Sequence, residues 1–339
     1  MHTLQEELSR IVVGEHRSFG NLAVIPLFRP KCAPVFLDYL LLEDGMGHGK
    51  VRITELPAQA SVPQLQLDNQ EDLPILVLDG EELVGAKQNR VLNLTILAPA
   101  KQSIVIPVAC VESGRWKTSS AELAQTDYMM YSQGRAERSA HVTESVRSSG
   151  SRASNQSAVW KAIATKAARL GAFSPTGAMS AMYERHSISL ESYVRAFDCH
   201  DGQCGAVFAI SGKIVGLEIF DYSEVFRRFF KKLIRSYALD ALDAPAQTIA
   251  IGSHDVSAFT EKVADVPCLA EPALGHGKDV RFIGPEISGG ALWALQRYIH
   301  ICAFLCDAQA SESPSFLTRL SSRRFRRLFN RGSGTPKGF

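Results

Sequence analysis

The chain has 339 residues, of which 45% are hydrophobic, and a formal net charge of +2, which are the proportions of a globular protein with a sizeable core. From Ser315 to Phe339 there are seven basic residues and no acidic one, and removing these seven from the 37 basic residues leaves 30 against 35 acidic residues. A mildly acidic body excludes a nucleic-acid-binding main surface, because phosphate neutralisation needs clustered Lys and Arg.

The opening segment and the cysteines bear on location. Acidic residues interrupt the first apolar stretch, so neither a secretory signal nor a membrane anchor is predicted, and we expect a cytosolic protein. The seven cysteines are scattered and odd in number, unlike a disulfide framework, so we interpret them as reduced thiols.

The first part of the chain is predicted to be rich in strands. Short apolar or alternating runs, bounded by Gly, Pro, Asp and Asn, predict strands at Leu22–Phe28, Val35–Leu42, Lys50–Glu55, Pro74–Leu78, Asn89–Leu97 and Ser103–Glu112. The segment Ser132–Ser154 has almost no large apolar residue and cannot offset its ordering entropy by burial. We therefore expect a mobile loop there.

Helical patterns dominate the next part of the chain. They predict helices at Ser157–Leu170, Thr176–His186, Leu190–Phe197 and Tyr222–Asp240, and a hairpin of Ala206–Ile210 with Lys213–Phe220 through Ser211-Gly212. Asp221 is expected to cap the last helix together with Glu224. The aromatic stripe of that helix indicates packing on the sheet, with a membrane-surface helix as the less favoured alternative. Val280–Cys306 fits either a strand or a helix.

These elements indicate an α+β fold with a β-rich N-terminal half, and with helices and a further hairpin in the C-terminal half. We predict one large domain at 1–308 and a basic, flexible tail at 309–339. The aromatic and basic residues between Arg323 and Arg331 have helical spacing, which would suit docking, although a solvated tail is the more favoured interpretation.

A polar constellation surrounds the fifth and sixth predicted strands. If these strands pair through a turn at Pro99–Lys101, Arg90 and Glu112 lie at corresponding ends and form a charge-assisted pair. Arg115 and Trp116 then offer a surface for a planar or anionic ligand, and Glu81 and Glu82 offer carboxylates. The alternative is a structural salt-bridge network that closes one end of a sheet.

Other chemistry is weakly supported. Cys199, His200 and Cys204 form the only metal-like group, but no second ligand pair follows at a recognisable spacing, so no metal site is predicted. Cys110 lies in an apolar strand, where an inert buried thiol is favoured over a nucleophile. The common hydrolase, kinase and dinucleotide motifs do not occur in complete form.

The polar constellation also resembles a known family. The resemblance is carried by Glu55, Leu78-Asp79-Gly80-Glu81, Gln88-Asn89-Arg90, Cys110-Val111-Glu112 and Gly114-Arg115-Trp116, with weaker similarity at Val159-Trp160, Phe220-Asp221 and Ile299-His300. These motifs are similar to those of the prokaryotic ADP-ribosylglycohydrolase and rhodanese-phosphatase-superfamily-associated protein domain, over roughly residues 15 to 306. The resemblance implies ADP-ribose, NAD-derived nucleotide or nucleic-acid-modification chemistry, often in a conflict or defence setting.

Together these observations predict a pocket for a nucleotide or ADP-ribose-like ligand. Its expected ligand-binding residues are Gln88, Asn89, Arg90, Arg115 and Trp116, and its expected catalytic residues are Glu81 and Glu112. Either glutamate would act as general acid or base in hydrolysis or transfer at an ADP-ribose-like linkage, and no cofactor is predicted. The alternative is a non-enzymatic scaffold module whose basic tail contacts an acidic partner, nucleic acid or a membrane.

Overall fold

The computed structural model describes residues 2–29, 36–56, 63–247 and 251–306. The helices in these ranges are α1 Leu4–Leu8, α2 Leu42–Gly47, α3 Ser132–Ser149, α4 Gln156–Arg169, α5 Ser180–Arg185, α6 Ser187–Ala196, α7 Ser223–Asp243 and α8 Ser253–Ala264. The strands are β1 Val12–Val13, β2 Arg17–Phe19, β3 Leu22–Phe28, β4 Leu40–Leu41, β5 Val51–Thr54, β6 Gln64–Asn69, β7 Ile75–Val77, β8 Glu81–Gly85, β9 Arg90–Leu92, β10 Ile96–Ala98, β11 Gln102–Cys110, β12 Leu123–Met129, β13 Gln203–Ile210, β14 Lys213–Phe220, β15 Cys268–Pro272, β16 Lys278–Phe282, β17 Ile287–Ala294 and β18 Arg297–Leu305. The predicted α+β class is confirmed.

A nine-stranded antiparallel sheet forms the centre of the molecule. Its order is β1-β3-β13-β14-β18-β17-β16-β15, with β2 paired to β3. Alternate residues of β3 enter hydrophobic clusters on opposite faces, with Leu22 and Val24 on the face of α7, and Ile25 on the face of α1 and α8. Because helices cover both faces, the central strands β3, β13, β14, β17 and β18 are buried on both sides and are therefore mostly apolar.

The aromatic stripe of α7 covers one of these faces. Its apolar residues Val225, Phe226, Phe229, Phe230, Leu233, Ile234 and Tyr237 are all buried, and the helix packs on β13. The predicted packing on the sheet is therefore confirmed. Among the described helices, none has both the length and the apolar composition needed to cross a membrane.

Six strands of the N-terminal half form a small, nearly closed barrel. Their order is β12-β8-β9-β11-β6-β5, and an isolated antiparallel bridge between Thr54 and Glu122 joins the first strand to the last. Apolar side chains of these strands, together with those of β7 and β10 and with Leu42 of α2, form one hydrophobic cluster. The barrel thus carries a core of its own beside the central sheet.

The predicted strand Asn89–Leu97 is wrong as one element. The structure divides it into β9, which pairs antiparallel with β11 as predicted, and β10, which pairs with β7, so the predicted hairpin does not continue to the turn at Pro99–Lys101. The strand is interrupted at polar residues whose side chains form hydrogen bonds with other parts of the chain. Asn93 donates to the carbonyl of Arg152, and the hydroxyl of Thr95 is hydrogen-bonded to His300. Because these side chains face partners elsewhere, the chain changes sheets at this point.

The predicted mobile loop at Ser132–Ser154 is also wrong, because its first 18 residues form α3. The helix ends at Gly150, whose φ of 70° is the left-handed conformation that favours glycine at a helix end. Arg135, Arg138 and Ser139 on α3 are fully or almost fully buried against charged partners. Since this helix buries polar rather than apolar side chains, its sequence lacks the stripe by which helices are recognised.

Smaller differences concern boundaries and caps. The Ser211-Gly212 hairpin is confirmed, and both turn residues have positive φ, as a type I′ turn requires. Asp221 does not cap α7, because its carboxylate bonds Tyr39 and Arg297 instead. The predicted strand Val35–Leu42 is reduced to the two residues of β4, with Val35 outside the described residues, and Val280–Cys306 forms strands. The predicted tail at 309–339 also lies outside them.

Candidate functional site

The polar constellation forms one connected group, which we call the Arg90 cluster. Its members are Glu55, Gln88, Asn89, Arg90, Glu112 and Arg115. Arg90 lies on β9 opposite Cys110 on β11, and Glu112 follows two residues after Cys110. The pairing of these two strands therefore brings residues that are more than 20 positions apart into contact.

One half of the Arg90 cluster is saturated with hydrogen bonds. Arg115 donates to Glu112 at 2.8 Å, to the side chain of Asn89 at 2.9 Å and to the carbonyl of Ala86 at 2.9 Å. Glu112 also accepts from Thr176 at 2.8 Å and from the backbone N–H of Asn89 at 3.1 Å. Burial alone would raise the pKa of Glu112, but the bonds from Arg115 and Thr176 hold that pKa below its ordinary value.

The other half, around Arg90, is not saturated. The guanidinium is fully buried and its Nη1 donates to Gln88 at 3.1 Å, yet Nε and Nη2 have no hydrogen-bond partner among the residues that the structure describes. The nearest carboxylate is that of Glu55, 3.6 Å from Nη2, which exceeds hydrogen-bond length. Oε2 of Glu55 and the indole N–H of Trp160 are likewise buried without partners. Burial lowers the pKa of Arg90.

A row of side chains leads from the surface to Arg90. Trp116 is 53% exposed, and the ammonium of Lys87 lies 5.3 Å from the centroid of its ring. The backbone N–H of Lys87 donates to Glu55 at 3.4 Å, and Glu55 faces Arg90. A ligand with a planar ring and an anionic group could therefore meet Trp116 first and the two cations next.

The structure thus brings together five of the predicted site residues, namely Gln88, Asn89, Arg90, Glu112 and Arg115, and places Trp116 at their exposed edge. The predicted ion pair of Arg90 with Glu112 is wrong, because Arg90 lies opposite Cys110 and faces Glu55, while Glu112 pairs with Arg115.

Glu81 is not part of this group. It is fully buried on β8 and bonds Lys232 at 3.2 Å, the backbone N–H of Leu78 at 3.0 Å, and Gln125. The adjacent Glu82 points elsewhere and has no cationic partner among the described residues. Burial raises the pKa of Glu82 to about 8, with the carboxylates of Glu184 and Glu112 adding to the rise.

A second polar group, the buried charged junction, consists of Asp79, Thr95, Arg135, Arg138, Glu218 and His300. Arg135 donates to Glu218 at 2.5 Å and to Asp79 at 3.2 Å, and Arg138 also bonds Asp79. All four of these side chains are at least 95% buried. Burial opposes ionisation of Glu218, but Arg135 and His300 hold the pKa of this carboxyl below its ordinary value.

The junction contains a hydroxyl–imidazole–carboxylate relay. His300 Nε2 lies 3.0 Å from the carboxylate of Glu218, which can only accept, so Nε2 carries a proton, and Nδ1 lies 2.9 Å from the hydroxyl of Thr95. This is the order of a nucleophile, a base and an orienting acid. The adjoining cavity of about 10 Å³ has room for one water molecule, so a small-molecule substrate does not fit beside Thr95.

Residues of the junction also include potential metal ligands. Within the described ranges, Glu218, His300 and Cys302 place potential ligand atoms within 4.8 Å of one another. However, Arg135 already neutralises Glu218, and burial raises the pKa of Cys302 to about 12, so these residues do not fit a cation. Cys199, His200 and Cys204 do not form a three-ligand group in this part of the chain.

Sequence reasoning assigned no site role to Glu55, Trp160 or the charged junction, although Glu55, Trp160, Asp79 and His300 belong to the motifs that carry the family resemblance. Glu218 and His300 each lie inside otherwise apolar strands, and a single charged or imidazole group in such a run is the signal that could have identified them. Arg135 and Arg138 carried no such signal, because their segment is polar throughout.

Comparison with known proteins gave one match. A family model, described as ARPP-1 (ARG and Rhodanese-Phosphatase-superfamily-associated Protein domain), matches residues 10–304. Searches of curated proteins and of solved structures each returned no match. The matched range contains both the Arg90 cluster and the charged junction, whereas the link to ADP-ribosylglycohydrolases stays a prediction.

Proposed function

The chain belongs to the ARPP-1 (ARG and Rhodanese-Phosphatase-superfamily-associated Protein) domain family, and we propose that it binds a nucleotide or ADP-ribose-like ligand at the Arg90 cluster. The ligand would place a phosphate or carboxylate on Arg90 and a planar ring on Trp116. The family match covers both residues but assigns no ligand, so the proposal rests on the chemistry of the cluster itself.

One observation carries the proposal: Arg90 is a fully buried cation with two unpartnered N–H-bearing nitrogens. Buried donors without acceptors cost free energy, and an unneutralised buried charge costs more. A phosphate or carboxylate would supply acceptors to Nε and Nη2 at once, in the bidentate geometry that guanidinium favours. An anionic ligand is therefore the partner that best completes this site.

The edge of the cluster supports a ring-bearing anion. The half-exposed indole of Trp116 offers a face for stacking, and Lys87 adds a second positive charge between this ring and Glu55. Gln88 and Asn89, predicted to read the edges of a base, have side chains that bond Glu112 and Arg115. We assign them to holding the cluster in position.

Hydrolysis or transfer at an ADP-ribose-like linkage, within a bacterial conflict or nucleotide-modification pathway, remains the reaction to test first. Every carboxylate oxygen of Glu81 and Glu112 accepts at least one hydrogen bond. A general base must be free to take up a proton within reach of the substrate, whereas Lys232 pairs with the fully buried Glu81 and Arg115 pairs with Glu112. The geometry therefore favours binding over catalysis by either glutamate.

The proposal is tested by titration calorimetry with ADP-ribose, NAD and nucleotides on the wild type, Arg90→Met and Trp116→Ala. We expect Arg90→Met to weaken binding by about 10- to 100-fold, because a charge-assisted bond contributes roughly 1.5–3 kcal/mol. Arg52→Met, which removes an exposed arginine on β5, is the matched control and should leave affinity unchanged. Equal affinities of the wild type and Arg90→Met would refute the site.

The second candidate function is a non-enzymatic scaffold module, and the saturated bonding of Arg115 and Glu112 favours it. In that case the cluster only fixes the end of the barrel sheet. Absence of binding across the whole ligand panel, together with a loss of stability in Arg115→Ala, would support this alternative.

A further inference from the structure

We infer that Glu55 is an intramolecular competitor for Arg90, whose carboxylate an incoming phosphate or carboxylate must displace. This inference rests on the proposed function and assigns a role to a residue that the sequence analysis did not include among the predicted site residues. It makes the Arg90 cluster selective for ligands whose anionic group is a stronger acceptor than a single, poorly placed carboxylate.

The geometry of Glu55 is that of a weakly held partner. Its Oε1 lies 3.6 Å from Arg90 Nη2 and accepts only a 3.4 Å bond from the backbone N–H of Lys87, while Oε2 has no partner. Within the same cluster, Arg115 and Glu112 approach to 2.7 Å and 2.8 Å. Two ion pairs of identical chemistry therefore differ in closeness, and only the pair with Glu55 leaves donors open.

The position of Glu55 also permits displacement. It follows directly after β5, outside the strand ladder, and its side chain is 17% exposed, whereas that of Arg90 is fully buried. Movement of Glu55 breaks one long hydrogen bond and one long ion-pair contact. Movement of Arg90 would break the bond to Gln88 and disturb β9. We therefore expect the carboxylate of Glu55, and not the guanidinium of Arg90, to move when a ligand binds.

The charges around Arg90 indicate that Glu55 weakens the binding of an anion. The groups that face Arg90 are Glu55, Glu112, Arg115 and the thiol of Cys110, and Glu112 is already paired with Arg115. An anion bound at Arg90 would therefore meet one uncompensated negative charge, that of Glu55. Two like charges this close repel each other, and the repulsion grows as the local dielectric falls, so removal of one of them should tighten binding of the anion.

The test measures binding of pyrophosphate and of ADP-ribose to the wild type and Glu55→Gln by titration calorimetry. Glutamine keeps the size of the side chain but removes its charge, so we expect about tenfold tighter binding of both probes. Glu122→Gln, which neutralises an exposed acid beside β12, is the control and should leave both affinities unchanged. The double variant Glu55→Gln/Arg90→Met should lose the gain.

The outcomes separate the inference from the proposed function. Equal affinity of the wild type and Glu55→Gln overturns the inference and leaves the site intact. Tighter pyrophosphate binding by Glu55→Gln, with no binding of ADP-ribose by either protein, supports the competitor and rejects the nucleotide-like ligand. No binding of either probe by either protein overturns both. If Glu55→Gln does not fold, Glu55→Asp, whose shorter side chain withdraws the carboxylate from Arg90, should bind pyrophosphate more tightly than the wild type; unchanged affinity would overturn the inference.

Discussion

The Arg90 cluster and the buried charged junction consist of similar side chains, but they differ in how completely their charges are matched. In the junction, Arg135 contacts two carboxylates, and each of those carboxylates has a second partner. In the cluster, Arg90 has one acid at 3.6 Å and two unpartnered nitrogens. The paired charges of the junction stabilise the fold, whereas the buried donors of Arg90 that lack acceptors indicate a binding site for a ligand.

The most damaging change should be Arg135→Met in the junction. It leaves Asp79 with a single partner and Glu218 without its principal cation, so we expect the free energy of unfolding to fall by about 3–5 kcal/mol. Denaturant unfolding measures this loss. The control is Arg147→Met, on the same helix in an exposed pair with Glu144; if it destabilises the protein equally, the junction has no special role.

Glu82 offers a third case, a buried acid that stays neutral instead of gaining a cation. Since burial raises its pKa from 4.5 to about 8, the folded state binds its proton more tightly than the unfolded state does. Its contribution to stability is full below pH 4.5 and is lost as the pH rises through about 8. Relative to Glu82→Gln, the wild type should lose roughly 2–4 kcal/mol over that range.

Unfolding measured at several pH values would show this difference as a slope. Parallel pH profiles of the wild type and Glu82→Gln would contradict the raised pKa. Glu261→Gln, on α8, is a suitable control for the removal of an exposed carboxylate.

Gly80 tests how tightly the backbone packs against Arg135 of the buried charged junction. Its φ is +85°, and a Cβ atom there would lie 2.8 Å from Cδ of Arg135. Gly80→Ala should therefore cost about 1–3 kcal/mol, through backbone strain and displacement of the arginine. Thermal unfolding measures it. At Gly47 a Cβ atom would meet no other atom, so Gly47→Ala should leave the stability nearly unchanged. Equal losses of stability in Gly80→Ala and Gly47→Ala would exclude the predicted clash.

Arg90→Met should have a smaller effect on stability than any change above. It removes two unpartnered nitrogens and leaves Glu55 free to turn outward, so we expect a change within about 1 kcal/mol, even though ligand binding is lost. A destabilisation as large as that of Arg135→Met, measured under the same denaturant conditions, would instead show that Arg90 is structural.

The smallest effect should come from Lys262→Ala. The ion pair of Lys262 with Glu286 is short, at 2.6 Å, but each side chain is 53% exposed. Exposed pairs contribute little, so we expect less than about 0.5 kcal/mol in the same assay. A larger loss would mean that closeness alone, rather than burial, separates the two regions.

Sequence patterns predicted those parts of the fold that depend on local periodicity. The stripe of α7 and the Ser211-Gly212 turn follow from neighbouring residues, and both were confirmed. Helix α3 could not be found this way, because the partners that make burial of Arg135 and Arg138 favourable lie on β14 and after β7. A helix stabilised by distant charges leaves no apolar pattern.

The candidate site was predicted in composition but not in pairing. Gln88, Asn89, Arg90 and Glu112 were expected to converge and do so, whereas their charges pair differently, Glu112 with Arg115 and Arg90 with Glu55. Glu55 was outside the predicted constellation, because β5 reaches the cluster only through the closure of the barrel. Which acid faces which arginine is thus a property of the topology.

The relay between Thr95 and His300 joins positions 205 residues apart in the chain. An N-terminal fragment that ends between these positions contains Asp79 but lacks His300. The hydrogen bonds of the buried charged junction therefore cannot all form in such a fragment. The long span also requires a costly loop closure before any of these bonds can form. We therefore expect this unit to fold cooperatively, and a chain nicked within 96–299 to stay folded only where both pieces remain associated.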